Sequence, residues 1–569
     1  MRRSSRQHYL DVPGSRIAIV GGGPTAIYVL KYLLEGEAGG IAEISLYEAG
    51  PVAGVGTPYD PRFNSRNMLA NIASIEIPPV TRTLLEWIRS LTPEQRAQWG
   101  IEGSAMHERH FFPRVILGAY YADELAELVA RARARQVRIR VNSPVTDIAA
   151  TPDAVTVTIA GERPHTASFD FVVIATGHRA PRPPRDGWTP RRAYGRAGES
   201  GAASTLGILG SSLSAIDVAM AHAVNFGSFH ENGDRLEFRY SPGEAGRTIT
   251  MMSRSGVLPE ADFYCPIPYQ ALEIFTPAAA ARCVRGQPGD LDRLFDLVRL
   301  QLEASDPAFA AALGLRDASA DDFADRYFAA RLAHDPFESA ARNLNETRCN
   351  KRCRRTVAWR YALLRMHEVF GKQVRHLAES DILRFEKGLR RCFVDNYAAC
   401  PPLSVARMLA LHAAGVLSLE KLGTRYSVDY DDKRRRWAVT SAASRREFDD
   451  LVDARGPAAL APGQFPFPTL RRQIKAGNPA ASRDLGVGDD FALESRGHFL
   501  SRVYCLSLPF LVRRNPFLPG LTSSRDMGEA VAESIQARIQ TQLTARDSRE
   551  AAPSSLIAAH HRIPERTWT

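Results

Sequence analysis

Short apolar runs that end at glycine alternate along this chain with stretches whose apolar residues recur every third or fourth position. Residues 17–20 (Ile-Ala-Ile-Val) are too short for a helix and carry no polar interruption, which predicts a parallel strand buried on both faces. The run ends in Gly21-Gly22-Gly23-Pro24-Thr25-Ala26, and helical spacing then continues to Leu34. A second strand is predicted over 43–47, ending at Glu48. The same order returns downstream. Residues 205–209 are apolar, lead into Gly210-Ser211-Ser212-Leu213-Ser214 and an Ala-rich helix, and have a partner strand over 248–252 that ends in Ser253-Arg254-Ser255.

Two further stretches repeat each other. Residues 137–177 hold the alternating segments VRIRV and AVTVTI and then the apolar FDFVVIATG; residues 426–456 hold SVDY, WAVTS and FDDLVDARG. Each reads as a small hairpin feeding a last strand with a terminal glycine. Between the repeats, 257–415 is helical in pattern. Leu291, Leu294, Phe295, Val298 and Leu302 share one face, as do Trp359, Leu363, Met366 and Phe370, and both stripes are predicted to be core. The fold class expected is α/β, with two Rossmann-like dinucleotide-binding folds and a large helical insertion. The division expected is 1–185 for a first FAD-binding part, 186–256 for the first part of an NADPH-binding domain, and 257–415 for the insertion. Residues 416–456 are then return strands of the NADPH-binding domain, 457–545 the C-terminal FAD-binding part, and 546–569 a mobile tail.

Composition narrows the classes without changing this picture. The chain has 569 residues, 44% hydrophobic and 24% charged, which fits packed domains rather than disorder or coiled coil. No apolar run approaches the roughly 18–20 residues that span a bilayer, and the charged N-terminus is followed by no apolar h-region, so a cytoplasmic location is expected. The net charge of +10 is scattered and rich in Arg, with one cluster over 348–355 and no interleaved aromatics. That pattern favours anionic cofactors and carboxylate substrates over nucleic acid or membrane. Seven widely spaced cysteines are expected to be reduced thiols.

The glycine turns carry the chemistry. In G-x-G-x-x-A form, Gly21 permits the tight turn, Gly23 lets backbone approach a pyrophosphate, and Ala26 allows close helix–strand packing. Pro24 and Thr25 open a helix whose free N–H groups face the phosphates, and Glu48, about 20 residues on, is placed to accept from ribose hydroxyls. In the second unit Gly210, Ser211, Ser212 and Ser214 form a looser version, with Ser212 where the central glycine would stand. There the partner strand ends in Ser253 and Arg254 rather than an acid. A cation flanked by hydroxyls suits a ribose 2′-phosphate, so NADPH is expected over NADH. Rival chemistries fit poorly. No cysteine precedes Cys265, His107-Glu108-Arg109-His110 is one residue short of an i, i+4 zinc pair, and Ser214 occupies the glycine position a nucleophile elbow requires.

Together with GVGTPY (54–59), NMLANIAS (67–74), FPRVILGAYY (112–121), IATGH (174–178), VDARGP (452–457) and LTSSRDMGEAVAESI (521–535), these features resemble the FAD/NAD(P)-binding flavoprotein monooxygenases with two dinucleotide folds. The set resembles the branch holding nitrosuccinate synthases, which N-oxygenate L-aspartate, and a flavin-dependent urate hydroxylase; ornithine and lysine N-hydroxylases are more distant. The resemblance implies that Gly54 and Gly56 approach the flavin side of the pyrophosphate on a turn stiffened by Pro58 and Tyr59. It further implies that Leu69 and Asn71 line the isoalloxazine, that Arg114 offers a cation near FAD, and that Val145, Thr176 and Gly177 lie along the cofactor. Asp526 and Gly528, just ahead of a helix, are expected at the pyrimidine end or ribityl chain. The activity implied is hydride transfer from NADPH to FAD, capture of O2 as a C4a-hydroperoxide, and N-oxygenation of a small amino acid in secondary metabolism. Carbon hydroxylation of a purine and a non-oxygenating FAD/NADPH oxidoreductase stay open, as does a flavin-bound sensor. The partners expected are a small-molecule substrate and O2, with a homo-oligomer possible. No catalytic acid or base announces itself, and no metal is expected.

Overall fold

The computed structural model describes residues 14–36, 40–101, 103, 106–132, 136–161, 163–178, 191–192, 203–233, 235–456, 459–477, 483–495 and 499–550. In chain order the first unit comprises β1 (Ser15–Val20), α1 (Pro24–Glu35), β2 (Ile41–Tyr47), α2 (Leu84–Ser90), α3 (Pro93–Trp99) and α4 (Arg114–Arg131). It continues through β3 (Gln136–Arg140), β4 (Val145–Ala150), β5 (Val155–Ile159), β6 (His165–Phe169) and β7 (Phe171–Ile174). The second holds β8 (Arg191–Arg192), β9 (Thr205–Leu209), α5 (Leu213–Ala223), β10 (Gly227–Asn232), β11 (Arg235–Tyr240) and β12 (Thr248–Ser253). Helices α6 (Pro277–Cys283), α7 (Asp290–Ser305), α8 (Pro307–Ala312), α9 (Phe323–Leu332), α10 (Pro336–Cys353), α11 (Ala358–Val374), α12 (Glu379–Lys387), α13 (Leu389–Tyr397) and α14 (Pro402–Ala413) follow. The chain then returns through β13 (Leu417–Lys421), β14 (Tyr426–Asp431), β15 (Arg436–Ser441), β16 (Arg445–Phe448) and β17 (Asp450–Asp453), and ends in α15 (Pro468–Gly477), β18 (Val503–Cys505) and α16 (Leu521–Glu550).

Two parallel sheets organise the molecule, in the orders β18-β7-β1-β2-β3 and β13-β12-β9-β17-β8. The central strands β1, β7 and β9 are apolar on both faces because each sheet is covered twice. In β1, Ile17 and Ile19 enter the core made with α1 and α16, while Ala18 and Val20 enter a second core with the antiparallel sheet β4-β5-β6. In β9, Leu206 and Ile208 pack beneath α5, and Leu209 faces Trp437 and Val439 of the antiparallel sheet β14-β15-β16. Full burial of each such side chain stabilises by about 1.5–3 kcal/mol, which is why unbroken apolar runs select this double cover.

The fold departs from the sequence expectation in three places. VRIRV lies in no hairpin; β3 is the parallel edge partner of β2, and the antiparallel unit before β7 is three-stranded. Helix α14, expected inside the insertion, buries Val405, Met408 and Leu411 in the core of the second sheet and serves as the crossover to β13. The tail expected from Arg546 begins as helix, since α16 runs to Glu550; residues beyond it lie outside the described part. Both apolar stripes pack in the third core, with Leu291, Phe295 and Val298 meeting Leu363, Met366 and Phe370, while Trp359 is half-buried against it. Among the described residues no helix is long and apolar enough to cross a membrane.

The two dinucleotide units are joined by a buried ion pair. Arg114 opens α4 and its Nε donates to Asp217 Oδ2 of α5 at 2.9 Å, with each side chain 9% exposed. Burial pushes the Asp217 carboxyl up to about 6, against the opposing pull of Arg114. Removing the cation strands a carboxylate, so Arg114→Met is expected to destabilise the protein by about 3–5 kcal/mol at neutral pH, read by denaturant unfolding. Between the ordinary carboxylate range and pH 6 the native state keeps a proton that the unfolded chain has released. This group's contribution to stability therefore falls as pH rises through that window, and Asp217→Asn is expected to flatten the slope in a pH series of melts.

Candidate functional site

The first glycine turn is shaped by what surrounds it. Gly21 has φ +105°, and a Cβ there would stand 2.3 Å from the Ala175 carbonyl oxygen at the end of β7, so only glycine lets β1 and β7 stay paired through the turn. Gly23 is the N-cap of α1, with extended backbone, and Pro24 occupies the first turn. A side chain on Gly23 would meet the Gly56 Cα at 3.4 Å, across the mouth of the turn. Ala26 is fully buried beneath the helix. Glu48 Oε2 accepts from Gly22 N at 2.9 Å and Oε1 accepts from Gly50 N at 2.6 Å, which fixes the carboxylate beside the turn and leaves lone pairs for a ribose.

The GVGTPY segment closes over this cradle. Gly54 N donates to Gly22 O at 2.7 Å, and Gly54, at φ +102°, packs against the α4 backbone at Ala122. Gly56 (φ +66°) abuts Pro24, and Thr57-Pro58-Tyr59 form a single 3-10 turn that rests on Gly118 of α4. On the other side, Thr176 Oγ1 lies 3.1 Å from Ser507 Oγ, and Gly177 (φ +60°) faces open space. Leu69 pairs with Pro113 in a short bridge, and Asn71 follows it toward the helical body. Val145 turns its side chain into the core, so backbone alone is left to meet a cofactor there. Backbone packed so closely that a Cβ at 21 or 54 would strike Ala175 or Ala122, with an open mouth at Gly23 and a helix N-terminus behind it, fits a bound dinucleotide.

Three of the expected cofactor residues stand in settings other than those expected. Asp526 and Gly528 do not precede a helix; they lie inside α16, where Asp526 is exposed and pairs with Arg525. Gly528 is small because a Cβ there would sit 2.8 Å from the Tyr28 carbonyl carbon, so it permits α16 to cross α1 at backbone contact. Arg114, expected beside FAD, donates through Nε to Asp217 of the second unit.

In the second unit Gly210 has φ +125° and is capped by the Ala454 carbonyl oxygen, as Gly21 is by that of Ala175. Ser211 Oγ donates to Val257 O at 2.8 Å. Ser212 stands as N-cap of α5 with an exposed side chain that makes no cap bond, and Ser214 is half-buried in the first turn. Ser253 Oγ accepts from Gly256 N at 3.1 Å. Arg254 is exposed at the end of β12 and forms no ion pair among the described residues.

A cavity of about 520 Å³ opens between the first unit and the helical body. Asn71, Glu76, His107, Glu108 and Arg109 line one side; Asp262, Cys265, Lys351, Arg354 and Asn396 line the other. Tyr269 OH donates to Glu76 Oε1 at 2.6 Å, and Lys351 Nζ donates to Asp262 Oδ2 at 2.7 Å. Arg109 stacks 4.7 Å over Tyr264 and donates to Cys265 O. Burial raises the Glu76 carboxyl, with Asp262 adding to it, and pushes the Cys265 thiol up to about 12. Of the 348–355 cluster, Lys351 and Arg354 reach this cavity. Glu76, Asp262, Tyr269 and Asn396 were missed, since each sits in an ordinary stretch and meets the others only through tertiary contact.

With this geometry in place, comparison places the chain. Residues 18–179 match the FAD-NAD(P)-binding family and 276–397 the YdhS-like middle domain. The uncharacterized protein YdhS of Escherichia coli (strain K12) is 40% identical over 531 residues, covering 91% of this chain and 97% of that protein. The ornithine N-hydroxylase of Kutzneria sp. 744 superposes with a TM-score of 0.51 at 14% identity, covering 92% of this chain and 100% of that one. The ornithine hydroxylase of Pseudomonas aeruginosa gives 0.48 at 12%, covering 92% and 99%. At 14% identity the likeness to the Kutzneria enzyme speaks to fold, whereas the match to YdhS speaks to descent. The chain belongs to the YdhS family, as an FAD/NAD(P)-binding oxidoreductase with an α/β architecture and a helical middle domain.

Proposed function

We propose that this chain is an NADPH-dependent flavin monooxygenase that N-oxygenates the amino group of a small amino acid. The observation that carries the reading is the cavity. It lies beside the Leu69–Asn71 segment of the first dinucleotide unit, is walled by the helical body, and mixes carboxylates with cations. When bound, FAD reduced by NADPH activates O2 for transfer to an electron-rich nitrogen. The protein's own part is to seat the substrate, strip water from it and hold its amine unprotonated. Phe263, Tyr264 and Tyr397 supply an aromatic wall to that end. Disulfide reduction fits less well. Cys265 is the one cysteine lining the cavity among the described residues, and its thiol is held protonated by burial and by Glu76 and Asp262. The exposed Arg254 at the end of β12 supports NADPH as reductant.

Gly23→Val is expected to keep the fold, since its neighbour stands at 3.4 Å, while filling the mouth of the cradle. The variant should purify with normal far-ultraviolet dichroism and little bound flavin; full yellow colour would remove FAD from this turn. Arg254→Ala should raise KM for NADPH about tenfold or more and leave KM for NADH nearly unchanged, as a charge-assisted bond contributes about 1.5–3 kcal/mol. Equal effects would assign Arg254 no phosphate. The chemistry itself is read with 18O2: a small amino acid should couple NADPH oxidation to a labelled N-oxygenated product. Coupling by urate alone would shift the assignment to carbon hydroxylation, and anaerobic turnover with another acceptor would exclude oxygenation.

A further inference from the structure

The chain that leaves β13 is tied to the end of β12, and the tie brings a second cation beside Arg254. In the parallel pairing of these strands Ser253 stands opposite Lys421. Just beyond, Leu422 N donates to Ser253 O at 2.9 Å and Gly423 N donates to Arg254 O at 3.2 Å. The turn after Arg254 folds back over the same place, since a Cβ on Gly256 would stand 3.0 Å from the Lys421 Cβ.

Strand parity sets the face on which these side chains emerge. Along β12, Met251 enters the core beneath α5 and Met252 the core under the antiparallel sheet β14-β15-β16, so alternation carries Ser253 to the α5 face. Along β13, Leu417 and Leu419 pack with the α5 core. Glu420 turns the other way, accepting from Ser444 Oγ and from Arg446 Nε, the latter at 3.0 Å. Lys421 therefore returns to the α5 face, where the second glycine turn opens at Ser212. Lys421 and Arg254 are both exposed, and neither forms an ion pair among the described residues. Ser253 Oγ already accepts from Gly256 N, which leaves its hydroxyl hydrogen to donate.

We propose that Lys421 is a second determinant of the reductant, binding the ribose 2′-phosphate of NADPH together with Arg254 and Ser253. The assignment rests on the NADPH reading above and extends it to a residue of a different strand. Arg254 offers a planar fork of donors and Lys421 a compact charge, so the phosphate oxygens are met from two sides. NADH leaves both cations without a counter-charge and brings a 2′-hydroxyl, for which the end of β12 supplies no acid.

The test scores binding apart from turnover, on the full-length flavin-loaded protein in its oxidised state. The probes are NADP+ and NAD+, which differ by the 2′-phosphate alone, each followed by calorimetric titration and thermal shift. The parent is expected to bind NADP+ the more tightly. Lys421→Met is expected to weaken NADP+ binding about tenfold, the scale of one charge-assisted bond, and to leave NAD+ binding unchanged. Lys421→Arg is expected to keep the preference, as is Glu420→Gln on the opposite face of β13. Lys421→Met combined with Arg254→Ala is expected to bring the two nucleotides level. Equal weakening of both nucleotides by Lys421→Met would show a strand end used for structure and overturn the assignment. A parent that binds the two alike would overturn the NADPH reading and this assignment with it. A parent that prefers NADP+, with Lys421→Met keeping that preference in full, would overturn this assignment alone.

Discussion

The Arg114–Asp217 ion pair is the buried charged tie between the two dinucleotide units, seconded by the hydrogen bond from Arg407 to the Asn67 carbonyl. Each dinucleotide unit has its own sheet and its own cores, and each would satisfy its apolar residues without the other. What crosses between them is polar and buried, so it is directional where apolar packing is not. Around it the insertion is pinned at both ends. Ala261 and Cys400 form a bridge, Cys400 N donates to Glu260 O, and Asn343 accepts from Ala261 N. Arg360, itself buried, donates to the Ala261 carbonyl from α11. The helical body therefore leaves and re-enters the second unit at a single closed seam, and the cavity lies beside that seam.

Much of the nucleotide-binding half was legible in the sequence because its determinants are local. A run such as 17–20 reports burial on both faces, and a glycine before a helix reports a turn that a Cβ would block. Gly21 and Gly210 show the point: both have positive φ, and both are closed by the carbonyl of the strand that follows the antiparallel sheet, Ala175 in one and Ala454 in the other. Where residues of similar appearance have different neighbours, the sequence misled. Gly528 looks like a cofactor glycine, and its space is taken by α1. Arg114 looks like a cation offered to FAD, and the carboxylate that its Nε meets lies 103 residues away. VRIRV alternates as a hairpin strand does, although β3 alternates because it is an edge.

The cavity was not legible for the same reason. Glu76 meets Tyr269 across 193 residues and Lys351 meets Asp262 across 89, and nothing in either local pattern announces the contact. Asn396 stands in a helix whose neighbours Cys392 and Phe393 are core, so its position reads as an ordinary buried face. Among the described residues its amide has no hydrogen-bond partner. Sites of this type become visible once tertiary contacts are placed, rather than as motifs.

The position of α16 has a consequence for how the chain is made. The first sheet begins at residue 15, but its edge strand β18 and the helix that covers α1 are drawn from 503–550. Thr25 meets Ser524, and Gln536 reaches the carbonyl of Tyr32. During synthesis the second unit and the helical body are complete before the first unit can close. For most of translation the β1–α1 region stands half-covered, with Tyr28 and Leu33 awaiting a helix not yet made. Completion of the first glycine cradle is therefore a late event in the life of the polypeptide, set by the emergence of α16.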